Sequence, residues 1–170
     1  MTYQALDVTA GGRMAWIDKH DQRAVFVDRR VETLRMKDAS VKNGIRVLEV
    51  RPNVQADFTA LPFPSDCFPL VLFDPPHLRS AGPKSWLRAK YGVLEGDWPA
   101  MLRAGFLECF RVLAPAGTLV FKWNEYQIPL SKILPLAPVP PLFGHRSGRH
   151  SKTHWLVFTK PNSRLHPTAR

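Results

Sequence analysis

An aspartate, two prolines and a histidine, Asp74-Pro75-Pro76-His77, close the apolar run Leu70-Val71-Leu72-Phe73. Four uncharged apolar residues bounded in this way read as a buried strand. Neither proline has an N–H to give to a sheet ladder, so the strand must stop at Asp74. A carboxylate is therefore held at the mouth of a strand, in front of a stiff turn whose carbonyls are free. Such a group accepts hydrogen bonds from an amine and returns none. Accepting both N–H bonds of a conjugated amine, through the Asp74 carboxylate and the Pro75 carbonyl, draws the nitrogen toward tetrahedral geometry and aims its lone pair at an electrophile. Positioning and electrostatics then supply the rate, and no covalent intermediate is needed. His77 adds a flat ring beside the turn.

The elements around this motif alternate between periods of two and 3.6. Ala24-Val25-Phe26-Val27 reads as a strand that ends at Asp28, and Ile45 to Val50 as another, ended by Arg51-Pro52. Met14 to Ile17 is expected to be a short strand. Residues 31–36 either extend the 24–27 strand or begin a hairpin. A helix is expected from Asp97, with Trp98, Met101, Leu102, Gly105, Phe106, Cys109, Phe110 and Leu113 on one face. Asp97 caps it, and Pro115 and Gly117 stop it. Thr118 to Trp123 reads as a buried strand and 129–136 as a short helix. Leu142 to Gly144 and His154 to Phe158 form two strands around a basic turn. The alternation argues for an α/β layered sheet with mostly parallel strands. Ligands of such sheets gather at the carboxyl ends of strands, where Asp28, Glu49, Asp74 and Asn124 are expected. The chain divides into an arm over 1–13, one domain over 14–160 and a tail over 161–170. The arm is expected to be flexible.

Beyond these elements, the segment Gln55-Ala56-Asp57-Phe58-Thr59-Ala60-Leu61-Pro62-Phe63-Pro64 resembles the acidic loop of class I S-adenosylmethionine-dependent methyltransferases. The run from Phe106 to Phe121 is similar to that family's helix–strand junction, with Ala116 in place of a glycine. Asp-Pro-Pro followed by an aromatic residue is the signature of its members that methylate base amines. More narrowly, Asp-Pro-Pro-His, Phe-Lys-Trp-Asn and Lys-Thr-His-Trp resemble segments of short phage- and prophage-type proteins of the group. The likeness covers 14–160. It implies a Rossmann-like methyltransferase sheet with an antiparallel C-terminal hairpin and a minimal N-terminal part. It also implies S-adenosylmethionine as cofactor and methyl transfer to an exocyclic base amine, adenine N6 ahead of cytosine N4. The catalytic set would be Asp74, Pro75, Pro76 and His77, and Asp57 and Phe58 would contact the cofactor.

The family's glycine-rich strand-to-helix loop has no counterpart of the GxGxG kind here. Gly11-Gly12 comes early and has no recognisable strand before it. Asp18, Lys19, Asp28 and Arg29 are the expected substitutes, carboxylates for the cofactor's ammonium and cations for its carboxylate. Glu49 is expected to be the ribose-binding acid. Lacking that loop, the chain also fits a nucleic-acid-binding protein with a degenerate methyltransferase fold.

With 24 Lys and Arg against 14 Asp and Glu, the formal charge is +10, which favours a polyanionic partner. Lys84, Trp86, Arg88 and Lys90 follow the catalytic turn and combine cations with a ring that can stack on a base. Asn124, Arg146, Arg149 and Lys152 form a second candidate contact set for DNA or RNA, single strands included. Cys67 and Cys109, both expected in the core, make no disulfide framework. His145, His150 and His154 lack a carboxylate or cysteine at ligand spacing, so no metal is expected. No apolar run approaches the ~20 residues of a membrane span, and a cytoplasmic monomer or homodimer is expected.

Overall fold

The computed structural model describes residues 3–83 and 85–162. A seven-stranded sheet runs in the order β5-β2-β1-β6-β7-β9-β8. Its members are β1 (Ala5–Asp7), β2 (Ala24–Asp28), β5 (Val54–Gln55), β6 (Phe68–Phe73), β7 (Leu113–Asn124), β8 (Phe143–Arg146) and β9 (Thr153–Thr159). The first five are parallel to one another, and β9 and β8 close the sheet as an antiparallel hairpin. The mostly parallel sheet with a reversed C-terminal hairpin is the architecture expected.

Helix α2 (Trp98–Val112) covers one face of this sheet. Asp97 caps it by accepting from the Ala100 N–H at 3.1 Å, and its apolar stripe buries Leu102, Phe106 and Cys109. The Phe106 ring packs against Phe73 of β6 and Phe121 of β7, with centroids 5.4 and 4.8 Å away. The helix ends at Val112, and Leu113 already pairs with Phe68, so the strand begins before Pro115 and Gly117. Ala116 adopts the left-handed conformation, φ 60°, at the place where the resembling family has glycine. Two short 3-10 turns, Leu130–Lys132 and Leu134–Leu136, stand where a short helix was expected.

The N-terminal third departs most from the sequence reading. Residues 5–7 are no flexible arm but a strand paired on both sides. Met14 to Ile17 is not a strand. It belongs to a run of turns that returns Trp16 onto Phe26, edge to face at 5.0 Å, in a small cluster with Ala5, Ala10 and Ala24. Between β2 and β5 the chain forms a separate antiparallel hairpin, β3 (Glu32–Lys37) with β4 (Ile45–Val50). The 45–50 strand is thus real but lies outside the main sheet. Cys109 is buried as expected, whereas Cys67 is exposed, in the turn just ahead of β6. Of the expected tail, 163–170 fall outside the described residues.

At Gly105, α2 lies close against the rings of Phe58 and Phe73. A methyl group there would lie 2.6 Å from the Phe58 ring and 2.9 Å from that of Phe73. Gly105→Ala should therefore cost about 1–3 kcal/mol by overpacking, despite the better helix propensity of alanine. Urea denaturation of the two proteins measures it, and a gain in stability would show that the contact yields freely.

Candidate active site

The carboxyl ends of the five parallel strands share one edge of the sheet. Chain order reverses between β1 and β6, and a crevice opens at such a switch point. Here it is a cleft walled by residues 7–12, 28–30, 56 and 58, by Asp74 and Pro76, and by 90–92. Asp7, at the end of β1, is only 2 % exposed. Its carboxylate accepts from the Thr9 N–H at 3.1 Å and from the Trp16 indole N–H at 2.7 Å. Burial pushes its pKa up to about 7, and Asp74 and Asp28 add smaller upward pushes. Asp28, at the end of β2, accepts from the Gly11 N–H at 2.9 Å and from Arg30. Gly11 has φ +47°, a conformation that favours glycine, and a side chain at Gly12 would strike Leu48 of the hairpin at 2.7 Å.

Asp74 joins this cleft to a second one. Its backbone N–H donates to Thr9 Oγ1 at 2.8 Å, which ties the Asp74 turn to the loop after β1. Its Oδ2 is 2.6 Å from Lys122 Nζ. Pro75 is buried behind it, and its carbonyl accepts no hydrogen bond among the described residues. The second cleft is lined by Asp74, His77, Tyr91, Lys122, Tyr126 and Lys152, among others. The His77 ring lies 4.9 Å from that of Tyr91 and meets Trp123 edge-on at 6.3 Å. Burial lowers the His77 pKa, so the neutral ring prevails. Asp74 and Tyr91 line both clefts.

Of the expected cofactor residues, Asp28, Arg29 and Phe58 line the first cleft. Asp57 stands between two of its wall residues, and its carboxylate caps the backbone and hydroxyl of Thr59. Asp18 and Lys19 lie outside this cleft. The loop folds Trp16 inward and turns 18–21 out, where Asp18 caps the His20 N–H. Glu49 is also misplaced. Its strand is part of the hairpin, its side chain is 59 % exposed, and Arg51 stands 3.7 Å away. The acid that ends the second strand of the sheet is Asp28.

The expected nucleic-acid contacts divide in the same way. Lys152 lines the second cleft, and Arg149 is exposed in the turn between β8 and β9. Arg146 pairs with Glu125 at 3.1 Å. The Asn124 amide lines the second cleft but is engaged, donating to Thr153 and accepting from the Tyr126 N–H. On helix α1 (Trp86–Tyr91), Trp86 faces Arg46 of the hairpin and Arg88 is fastened to the Ala81 carbonyl. Lys90 lines the first cleft. Lys84 lies outside the described residues.

No protein-family model matches the chain, and no curated protein matches it. Solved structures do. The PH0226 protein from Pyrococcus horikoshii OT3 superposes with a TM-score of 0.56 at 14 % identity, over 95 % of this chain and 82 % of that one. A Leishmania major protein described as a SAM-dependent methyltransferase of the DUF858 family superposes at 0.51 and 13 % identity, over 93 % of this chain. This chain spans only 65 % of that protein's length. The fold is that of the class I methyltransferases.

Sequence reasoning missed Asp7, Thr9, Arg30 and Lys122, and set Gly11-Gly12 aside. A three-residue strand carries no periodicity, so the pairing of β1 was invisible. The available signal was an acid inside Ala5-Leu6-Asp7-Val8, four residues before a glycine pair. For Lys122 the signal was a lone cation in an apolar strand. Phe121 is level with Phe73, which sets Lys122 beside Asp74.

The raised Asp7 pKa makes a stability prediction. Between the ordinary value of 3.8 and about 7 the folded chain holds a proton that the unfolded chain has lost. This contribution is complete below pH 4 and vanishes as the pH rises through 7. Wild type should lose roughly 2–3 kcal/mol from this group between pH 5 and pH 8, and Asp7→Asn should lack that loss. Urea titrations of both proteins at the two pH values compare them. Parallel pH dependence would mean that Asp7 is ionised throughout.

Proposed function

We propose that this protein transfers a methyl group from S-adenosylmethionine to an exocyclic amine of a nucleic-acid base, adenine N6 ahead of cytosine N4. The observation that carries this reading is the position of Asp74, whose carboxylate lines two clefts at once at the switch point of the sheet.

The first cleft has the chemistry to hold the cofactor. Asp28 would take the ribose hydroxyls, Ala56 and Phe58 would wall the adenine, and the 9–12 loop with Arg30 would face the amino-acid end. The carboxylates Asp28 and Asp74 suit a cationic centre. When bound, S-adenosylmethionine supplies a methyl group made electrophilic by its sulfonium. Asp74 Oδ1 and the Pro75 carbonyl would accept the two N–H bonds of the base amine from the other side. Asp74 is also placed to receive the proton that the nitrogen sheds. A base must leave its stack to reach this depth, and His77 and Tyr91 offer flat surfaces to receive it. The net charge of +10, with Arg149 and Lys152 near the second cleft, fits a phosphate backbone as partner.

Two observations favour a second reading, a nucleic-acid-binding protein that has kept the fold without the activity. Asp74 is held by Lys122 at 2.6 Å, and no helix follows the glycine pair. Calorimetric titration with S-adenosylmethionine separates the two, since the second reading expects no heat. On the first, Asp74→Ala should abolish methylated nucleosides in digested product, detected by mass spectrometry, while cofactor affinity stays within about threefold. A wild-type rate in that variant would place the active site elsewhere. Replacing Arg149 and Lys152 by alanine should flatten the slope of log affinity against log salt by about 0.7–0.9 per lost phosphate contact. Fluorescence anisotropy with labelled single and double strands reads this, and an unchanged slope would remove that turn from the interface.

A further inference from the structure

Lys122 reaches Asp74 from the neighbouring strand, and the reading above gives it no task. Its ammonium has three N–H donors. One points at Asp74 Oδ2, 2.6 Å away, and among the described residues the others have no hydrogen-bond acceptor. The stem passes the Trp155 ring, with Nζ 5.5 Å from its centroid, and the head group lines the second cleft beside Asp74 and His77. The side chains of the pair are about one-fifth exposed, 20 % for Lys122 and 19 % for Asp74. Asp74 Oδ1 has no protein partner among the described residues. The cleft therefore meets an acceptor and a donor side by side, fixed relative to each other by their own ion pair.

Building on the methyltransferase reading, we propose that Lys122 is a specificity residue that donates a hydrogen bond to the ring nitrogen next to the reacting amine. Adenine and cytosine each carry an amine beside an unprotonated ring nitrogen, a donor followed by an acceptor. Asp74 and Lys122 complement that order. Guanine, uracil and thymine present a carbonyl beside a ring N–H on the same edge. In that order Asp74 would meet an oxygen and Lys122 an N–H, so both contacts repel. A buried polar group left unpaired is costly, so a site built this way rejects a ligand that lacks the matching atom. A side-chain carboxamide also carries a donor beside an acceptor. The rings of His77, Tyr91 and Tyr126 around the same cleft favour a flat aromatic ligand over a carboxamide.

The test replaces one atom. In 1-deazaadenine the amine stays and the ring nitrogen becomes C–H. Removing that electron-withdrawing nitrogen makes the amine a better nucleophile, so a lower rate must come from recognition. Wild type should methylate an oligonucleotide containing adenine at least about tenfold better, in kcat/KM, than the same strand with 1-deazaadenine. Lys122→Met should remove that preference, mainly through KM for the adenine strand, while Lys122→Gln, which keeps an N–H donor, should retain part of it. Calorimetry with S-adenosylmethionine should give equal affinities for all three proteins, which shows that the variants fold. Equal use of both strands by wild type overturns the inference and leaves the methyltransferase reading intact, as does undiminished discrimination in Lys122→Met. Methylation of a glutamine peptide in preference to either strand overturns the base as acceptor. If wild type neither binds the cofactor nor methylates any acceptor, the methyltransferase reading falls and the inference with it.

Discussion

A carboxylate at the centre of a sheet must be hydrogen-bonded, neutral or both, because burial removes the water that would otherwise hold its charge. Asp7 meets this constraint through Trp16 and Thr9, one on each oxygen. The Trp16 bond draws the 8–23 loop back over the sheet and seats its ring against Phe26. The Thr9 bond shapes the turn after β1, and the Thr9 hydroxyl in turn accepts from the Asp74 N–H. Gly11 follows in the same turn and donates to Asp28. A short run of bonds thus connects the ends of β1, β2 and β6, and the first cleft is the space between them.

This arrangement compensates for missing helices. In a doubly wound fold, helices cover both faces of the sheet. Here α2 and the 3-10 turns cover one face, while on the other the Trp16 loop packs in the small cluster of Ala5, Ala10, Ala24 and Phe26. Arg30 braces the open side, reaching from Asp28 to the Ala89 carbonyl of α1 and so holding that helix over the cleft. The hairpin's Leu48 fills the space beside Gly12, which explains why the loop needs glycine there although no helix follows.

The clefts differ in lining for a geometric reason. Strand ends β1, β2 and β6 each contribute an acid to the first, where Arg29, Arg30 and Lys90 stand with them. The second gains Lys122 and Lys152 from β7 and the turn before β9, which suits an anion or a hydrogen-bond acceptor. Asp74 stands at their boundary. Asp74 and Lys122 are already paired there, so a ligand that meets both requires little reorganisation of them.

What the sequence by itself determined lies mostly after residue 54. The apolar run ending in Asp74-Pro75-Pro76, the capped helix at Asp97 and the last hairpin are local patterns whose periods or turn residues allow one reading. The fold class and the Asp74 turn follow from them. Tertiary structure alone decided the first half. β1 is too short to show a period and is a strand only because β2 and β6 pair with it on both sides. Ile45 to Val50 has strand character in any context, and only pairing shows that it joins β3 and not the sheet. That pairing moves the strand-end acid from Glu49 to Asp28. Lys122 meets Asp74 through register between strands 48 residues apart, a relation that no window along the chain contains.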